Sequence, residues 1–252
     1  MTTMFDLTGK KAIVTGAAQG LSYGMAEGLM EAGAAVAIID ISPKLEAVAE
    51  GFRSKGFSCF GIKGDIGDEK GRAEAFDAAV KALGGLDILV NGAGVQRRHK
   101  SEEFPMADWN FVMNINLTAV FDLCQRAANL FLTQGGGKIV NIASMLSFFG
   151  GFTVPAYAAS KGGVSQLTKT FSNEWAGRNI NVNAIAPGFM ATEMNTKLIE
   201  DEKRNTEILS RIPTGRWGTP DDVKGTCVYL ASQASDYLNG AIIPVDGGYL
   251  GR

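Results

Sequence analysis

The sequence predicts an α/β fold: a doubly wound parallel sheet of about seven strands with helices on both faces. Three observations carry this. Short β-branched apolar runs alternate with stretches of helical period from residue 11 to residue 245, the pattern of repeated βαβ units. Most of these runs are nearly continuous in apolarity, as strands covered on both faces must be. A glycine-rich turn joins the first run to the first helical stretch, the place where doubly wound sheets receive ligands.

Residues 11–15 (KAIVT) read as the first buried strand. Gly16-Ala-Ala-Gln-Gly20-Leu-Ser22 follows, and a helical pattern through Met25, Leu29 and Met30 runs to Gly33. Glycines in such a turn let the backbone approach a pyrophosphate, and the helix start offers N–H donors and the positive end of its dipole. The spacing is not the usual G-x-G-x-x-G. Residues 34–40 form a second strand ending in Asp40, about twenty residues past the glycines. A carboxylate there can accept both ribose hydroxyls of NAD and repel the 2′-phosphate of NADP. The alternative is a helix cap within Asp-Ile-Ser-Pro, and Lys44 nearby softens the preference for NAD.

The alternation continues with a helix over 44–55, a strand over 57–62 and a helix over 69–83. A strand over 86–90 leads into Asn91-Gly-Ala-Gly94. Residues 105–133 hold one long helix or a broken pair. A strand over 138–142 precedes a helix over 155–177; a strand over 180–185, a helix over 221–230 and a strand over 241–245 complete the pattern. No linker or repeat interrupts it, so one domain over 1–252 is expected. Residues 188–214 are long, polar in the middle and placed after a strand end, where substrate lids sit.

Composition narrows the chemistry. Apolar residues make up 46% and charged residues 20% of the chain, as in globular proteins. No apolar run reaches the ~18–20 residues of a membrane span, and residues 1–11 lack a signal-peptide pattern. Three scattered cysteines, Cys59, Cys124 and Cys227, suit neither a metal site nor a disulfide framework. A reducing, cytoplasmic setting is expected. The net charge of −2 without a basic block argues against nucleic acid. A single histidine, His99, leaves little material for zinc or for a Ser-His-Asp triad. Proton transfer must use another group.

Tyr157-Ala-Ala-Ser-Lys161 supplies one. A tyrosine and a lysine four residues apart share a helix face. A tyrosine's usual pKa of about 10 is too high for a general base near neutrality. A neighbouring ammonium favours the phenolate. Ser144, thirteen residues earlier, follows the strand over 138–142 and can be brought to Tyr157 by the intervening loop.

Taken together, Thr15-Gly16-x-x-x-Gly20, Asp65, Asn91-x-Ala93-Gly94, Ser144, Tyr157-x-x-x-Lys161, Pro187-Gly188 and Thr192 resemble the short-chain dehydrogenase/reductase family in order and spacing over essentially the whole chain. The resemblance implies a Rossmann-type fold, NAD (NADP less so), and hydride exchange between an alcohol and a carbonyl. It also implies a homotetramer. By resemblance Tyr157 is the general acid/base, Ser144 holds the reacting oxygen, Lys161 holds the nicotinamide ribose, and Asn116 anchors a water relay to the lysine. Asn114 is the second candidate for that role. Gly16, Gln19, Gly20 and Leu21 would meet the pyrophosphate, Asp40 and Ile41 the adenosine ribose, and Asp65 and Ile66 the adenine. Asn91, Ala93, Gly94, Pro187, Gly188, Met190 and Thr192 would complete the cofactor site.

Two positions depart from the family pattern: Ser22 stands for a third glycine and Gly92 for a second asparagine. The serine either alters the pyrophosphate contact or donates to phosphate. Neither change removes a catalytic group.

A narrower likeness, through Ile142-Ala-Ser-Met-Leu-Ser-Phe148, Asp201-Glu-Lys-Arg-Asn205, Arg211-Ile-Pro and Gly215-Arg-Trp-Gly218, is to the sugar-acid branch. Within it the chain is most similar to the 2-deoxy-D-gluconate 3-dehydrogenase (2-dehydro-3-deoxy-D-gluconate 5-dehydrogenase) group of uronate and pectin breakdown. Val95-Gln-Arg-Arg-His99 instead resembles gluconate 5-dehydrogenases. Both imply an anionic sugar, whose carboxylate an arginine would hold bidentately. Arg97, Arg98 and Arg216, with Ser144, are the candidates. Reduction of another carbonyl, such as a ketoacyl thioester, and a non-catalytic nucleotide-binding role are the competing readings.

Overall fold

The computed structural model describes residues 3–251. Seven strands form one parallel sheet: β1 (Lys11–Thr15), β2 (Ala35–Asp40), β3 (Cys59–Lys63), β4 (Ile88–Asn91), β5 (Gly137–Ile142), β6 (Ile180–Pro187) and β7 (Ile242–Val245). Their order across the sheet is β3-β2-β1-β4-β5-β6-β7, every neighbouring pair parallel. The chain starts at the centre, winds out to β3, then crosses back to β4. The order reverses between β1 and β4, and a crevice opens there beyond the strand ends.

The two-residue period of each strand sorts its side chains between two cores. Ile13, Ala37, Ile39 and Leu89 face a core shared with α3 (Glu69–Leu83), α5 (Ala119–Gln134) and α6 (Pro155–Trp175). Ala12, Val14, Val36, Ile38 and Val90 face another, shared with α1 (Gly20–Glu31), α2 (Leu45–Ser54) and α9 (Pro220–Ala231). Fully burying each large aliphatic side chain contributes about 1.5–3 kcal/mol. Strands this apolar on both faces have no other stable environment.

Helix starts follow their caps. Asp68 accepts from Gly71 N–H at 2.6 Å to start α3, and Thr219 with Asp222 forms a capping box at α9, one residue earlier than periodicity indicates. The stretch 105–133 proves to be a broken pair: α4 (Met106–Met113) and α5 are joined by a π-helical turn, Asn114–Thr118. Residues 188–214 contain α7 (Thr196–Glu200) and α8 (Glu202–Leu209). No helix among the described residues is long and apolar enough to cross a membrane.

Candidate active site

The crevice holds two adjoining cavities. The first, about 460 Å³, runs over the carboxyl ends of β1, β2, β4 and β5. Gly16 opens it. Its φ is +72°, and a Cβ there would crowd Ala93 Cα at 2.7 Å, so the β1 and β4 ends approach only because residue 16 lacks a side chain. Thr15 Oγ1 ties the same two loops, accepting from Gly92 N–H and Ala93 N–H at 3.1 Å each. α1 begins beneath the cavity with an N-cap, Gln19, that makes no side-chain capping bond, and no acid stands in its first turn. Its leading N–H groups are free for an anion, which fits a dinucleotide diphosphate.

Asp40 ends β2 at the cavity wall. Its Oδ2 accepts from Ala18 N–H at 3.0 Å and its Oδ1 from Ser42 N–H at 2.9 Å. Each oxygen keeps a lone pair for a ligand hydroxyl. Asp65 and Ile66 line the wall beyond β3. Arg72, buried within α3, holds that loop by donating to Ile66 O at 2.7 Å and to Asp122 at 2.8 Å. Among the described residues, Lys161 is the one cation lining the first cavity.

Tyr157 and Ser144 lie where the cavities meet, lining both. Ser144 Oγ accepts from Leu146 N–H at 3.1 Å, which orients it toward its hydrogen bond with the Tyr157 hydroxyl. Burial pushes the Tyr157 phenol above its ordinary value; the Ser144 hydrogen bond and the Arg98 charge oppose that rise. Lys161 Nζ sits 5.7 Å from the Tyr157 ring centroid and donates to Ile142 O at 2.6 Å. Burial brings its pKa down to about 8. Ser144 and Arg98 are the groups that oppose the effect of burial on the phenol.

The second cavity, about 670 Å³, lies between the loop after β5 and α7–α8. Arg98, Arg204 and Arg211 line it, with Glu207 the only acid there among the described residues. Arg204 Nη1 donates to Glu207 at 3.1 Å, and Arg211 lies 4.6 Å over the Tyr249 ring. Burial and the nearby Arg204 charge lower the Arg98 pKa.

Every residue expected to meet the cofactor lines the first cavity except Asn91. Its amide turns into the sheet, donating to Asn141 Oδ1 at 2.9 Å and Cys124 Sγ at 3.2 Å. Asn116 also misses the cavity. Its amide clamps Val95, accepting from the N–H at 2.8 Å and donating to the C=O at 2.9 Å, and it contacts Ser160. Asn114 donates to Gly67 O at 2.6 Å.

Two of the expected arginines are engaged elsewhere. Arg97 turns out to Asp108 and stacks 4.5 Å over Phe111. Arg216 is held bidentately by Asp222, both contacts 2.7 Å. His99 pairs with Asp108 at 2.6 Å and lines neither cavity. Arg204 and Arg211 were missed as ligand-facing residues; both lie inside the stretches that carried the sugar-acid likeness.

A family model described as enoyl-(acyl carrier protein) reductase matches residues 16–250. A protein of Escherichia coli (strain K12) named 2-dehydro-3-deoxy-D-gluconate 5-dehydrogenase is 51% identical over 249 residues, 98% of each chain. The chain belongs to the short-chain dehydrogenase/reductase family. This oxidoreductase family binds a nicotinamide dinucleotide. Among solved structures, a protein of Agrobacterium tumefaciens assigned as a 2-deoxy-D-gluconate 3-dehydrogenase, with bound NADP, matches with a TM-score of 0.93 and 46% identity, over 99% of this chain and all of its own. A gluconate 5-dehydrogenase of Burkholderia cenocepacia in complex with NADP and tartrate matches with a TM-score of 0.95 and 39% identity, over 99% and 98%. In this short-chain dehydrogenase/reductase the seven-stranded parallel sheet is thus the family's fold.

Proposed function

We propose that the protein exchanges a hydride between NAD(H) and an alcohol or ketone carbon of an anionic sugar acid, with 2-dehydro-3-deoxy-D-gluconate as the best-fitting substrate. The observation that carries this is the junction: Tyr157 and Ser144 line both cavities, one built for a dinucleotide and the other walled by three arginines. The names of the relatives point the same way. When bound, the dinucleotide supplies a hydride to the carbonyl carbon or takes one from the alcohol carbon. Tyr157 gives a proton to the substrate oxygen in reduction and removes it in oxidation. Ser144, its oxygen already accepting from Leu146, donates to that substrate oxygen. Lys161 reaches the ribose side from the cavity floor, and Asn116 acts as a positioning residue through Val95. Arg98 takes the substrate carboxylate. Residues 188–214 form the lid, since Asn195, Arg204, Glu207 and Arg211 face the cavity from it.

NAD over NADP rests on Asp40 and on the lack, among the described residues, of any cation but Lys161 lining the first cavity; the NADP bound to relatives is the contrary observation. A gluconate 5-dehydrogenase activity is a second reading, favoured by Gln96 and Arg98, which bring the gluconate-like stretch to the cavity wall. We further propose a homotetramer in the cytoplasm. Phe111, Phe121 and Leu132 stay exposed, a Cβ at Gly162 would meet open space, and the three cysteines are free and buried.

The test follows dihydronicotinamide absorbance with both dinucleotides against a panel of aldonates, ketoaldonates, a ketoacyl thioester and an enoyl thioester. Turnover of a sugar acid with NAD(H) is expected. Preference for a thioester would refute the substrate, and preference for NADPH would refute the role of Asp40.

A further inference from the structure

Ser22 and Gly92 are the two places where the chain departs from its family's pattern, and the structure puts them in contact. Ser22 is the third residue of α1, 4% exposed, and lines the first cavity. No group among the described residues takes or gives a hydrogen bond at its hydroxyl. The hydroxyl is thus left to meet a ligand in the cavity it lines, and the uncapped start of α1 beside it is where an anion is best received.

Gly92 is explained from the other side. It does not occupy the left-handed region, so its backbone would accept any residue. Space is what excludes one. A Cβ at Gly92 would fall well inside 3.0 Å of Ser22 Oγ and 3.1 Å from Ser22 Cβ. The remaining neighbour, Thr15 O, would stand at 3.0 Å, a contact that a shift of a few tenths relieves.

We infer that Ser22 is a cofactor-binding residue whose hydroxyl donates to the dinucleotide diphosphate, and that position 92 is glycine to leave that side chain its place. The inference rests on the dinucleotide reading of the first cavity. Donation to a charged oxygen is stronger than a neutral hydrogen bond, so Ser22 recovers contact that a glycine at its position could not give. The hydroxyl moves no proton; it holds the anion while Gly16 and Ala93 set the spacing of the loops.

The experiment titrates NADH and ADP-ribose into wild type, S22A, S22G, G92A and S22G/G92A, with melting temperatures recorded alongside. S22A should weaken both ligands about tenfold, as loss of a hydrogen bond to a charged group does, with the melting temperature of the ligand-free protein unchanged. G92A should weaken them at least as much, yet have less than about a twofold effect when added to S22G, because the obstructing side chain is then gone. S22A binding like wild type would overturn the hydroxyl's role. An equal cost of G92A in both backgrounds would overturn the pairing. Failure of wild type to bind either ligand would bring down the dinucleotide reading itself, and is distinguishable from both.

Discussion

Lys161→Met should make the protein more stable at neutral pH while destroying its activity. Lys161 is 4% exposed and pairs with no carboxylate among the described residues; its ammonium has the Ile142 carbonyl at 2.6 Å. Burial lowers its pKa from 10.5 to about 8. At about 1.4 kcal/mol per unit, keeping this group charged costs the folded state roughly 3 kcal/mol. Methionine fills a similar volume and removes the charge, but leaves Ile142 O without that donor, a loss of about 1 kcal/mol. A net gain of about 2 kcal/mol is expected at pH 7. The sign follows from proton linkage. Between the folded and unfolded pKa the unfolded chain binds more protons, so wild-type stability climbs with pH. The penalty is fully present below pH 8 and falls to about half by pH 9.5. Urea midpoints of dinucleotide-free wild type and variant at pH 7 and 9.5 would measure it. A variant less stable than wild type at pH 7, or a difference that does not shrink at pH 9.5, would refute the reasoning.

Tyr157→Phe should lower turnover by about 10²–10⁴-fold, the usual share of general acid–base catalysis, while NADH affinity by titration stays within about twofold of wild type. Asp40→Ala should raise the NADPH-to-NADH ratio of kcat/KM about tenfold by removing a charge that repels the 2′-phosphate; an unchanged ratio would free Asp40 of that role. Arg98→Met should raise the KM for the sugar acid by about 10–100-fold. It should also move the acid limb of the oxidation pH profile upward, since the guanidinium no longer opposes the burial-raised phenol pKa. His99→Ala should leave kcat within about threefold in steady-state assays, because its partner is Asp108 and it faces neither cavity.

What could be read from the sequence was what local spacing decides. The strands were legible because both faces are buried, and Tyr157 with Lys161 because one helix turn separates them. The glycine turn was legible because a strand precedes it and a helix follows. Choices made by tertiary contacts were not. Arg97 and Arg98 are neighbours, yet one stacks on Phe111 and the other faces Tyr157; only packing against α4 decides which. Arg216 looked free until α9 brought Asp222 to it. Arg204 and Arg211 gave no signal as ligands, because arginines in a polar segment read as solvated until the segment is known to fold over a cavity. Asn91 ends β4 with its side chain on the interior phase of the strand, where Asn141 and Cys124 await it. An intact helical period over 105–133 conceals a π turn whose two asparagines are each bound to a separate loop.

The charges of the two cavities differ in a way that bears on how each ligand is held. Among the described residues, Asp40, Asp65 and Glu193 line the first against one ammonium, so a dinucleotide entering it meets more negative side chains than positive ones. Side-chain cations therefore cannot be the main source of its affinity. Backbone N–H groups at the start of α1 and the close approach allowed by Gly16 must supply it, contacts that a bulk count of charges never reveals. The second cavity reverses the balance, three guanidiniums to one carboxylate among the described residues, a lining that would attract an anion. Tyr157 lies between them. Burial pushes its phenol pKa up, and the charge that opposes that rise is Arg98, the residue assigned to the substrate carboxylate. A substrate anion paired with Arg98 offsets that cation's field at the phenol. The group that recognises the substrate thus also bears on the proton the reaction must move, which ties specificity and proton transfer to one side chain.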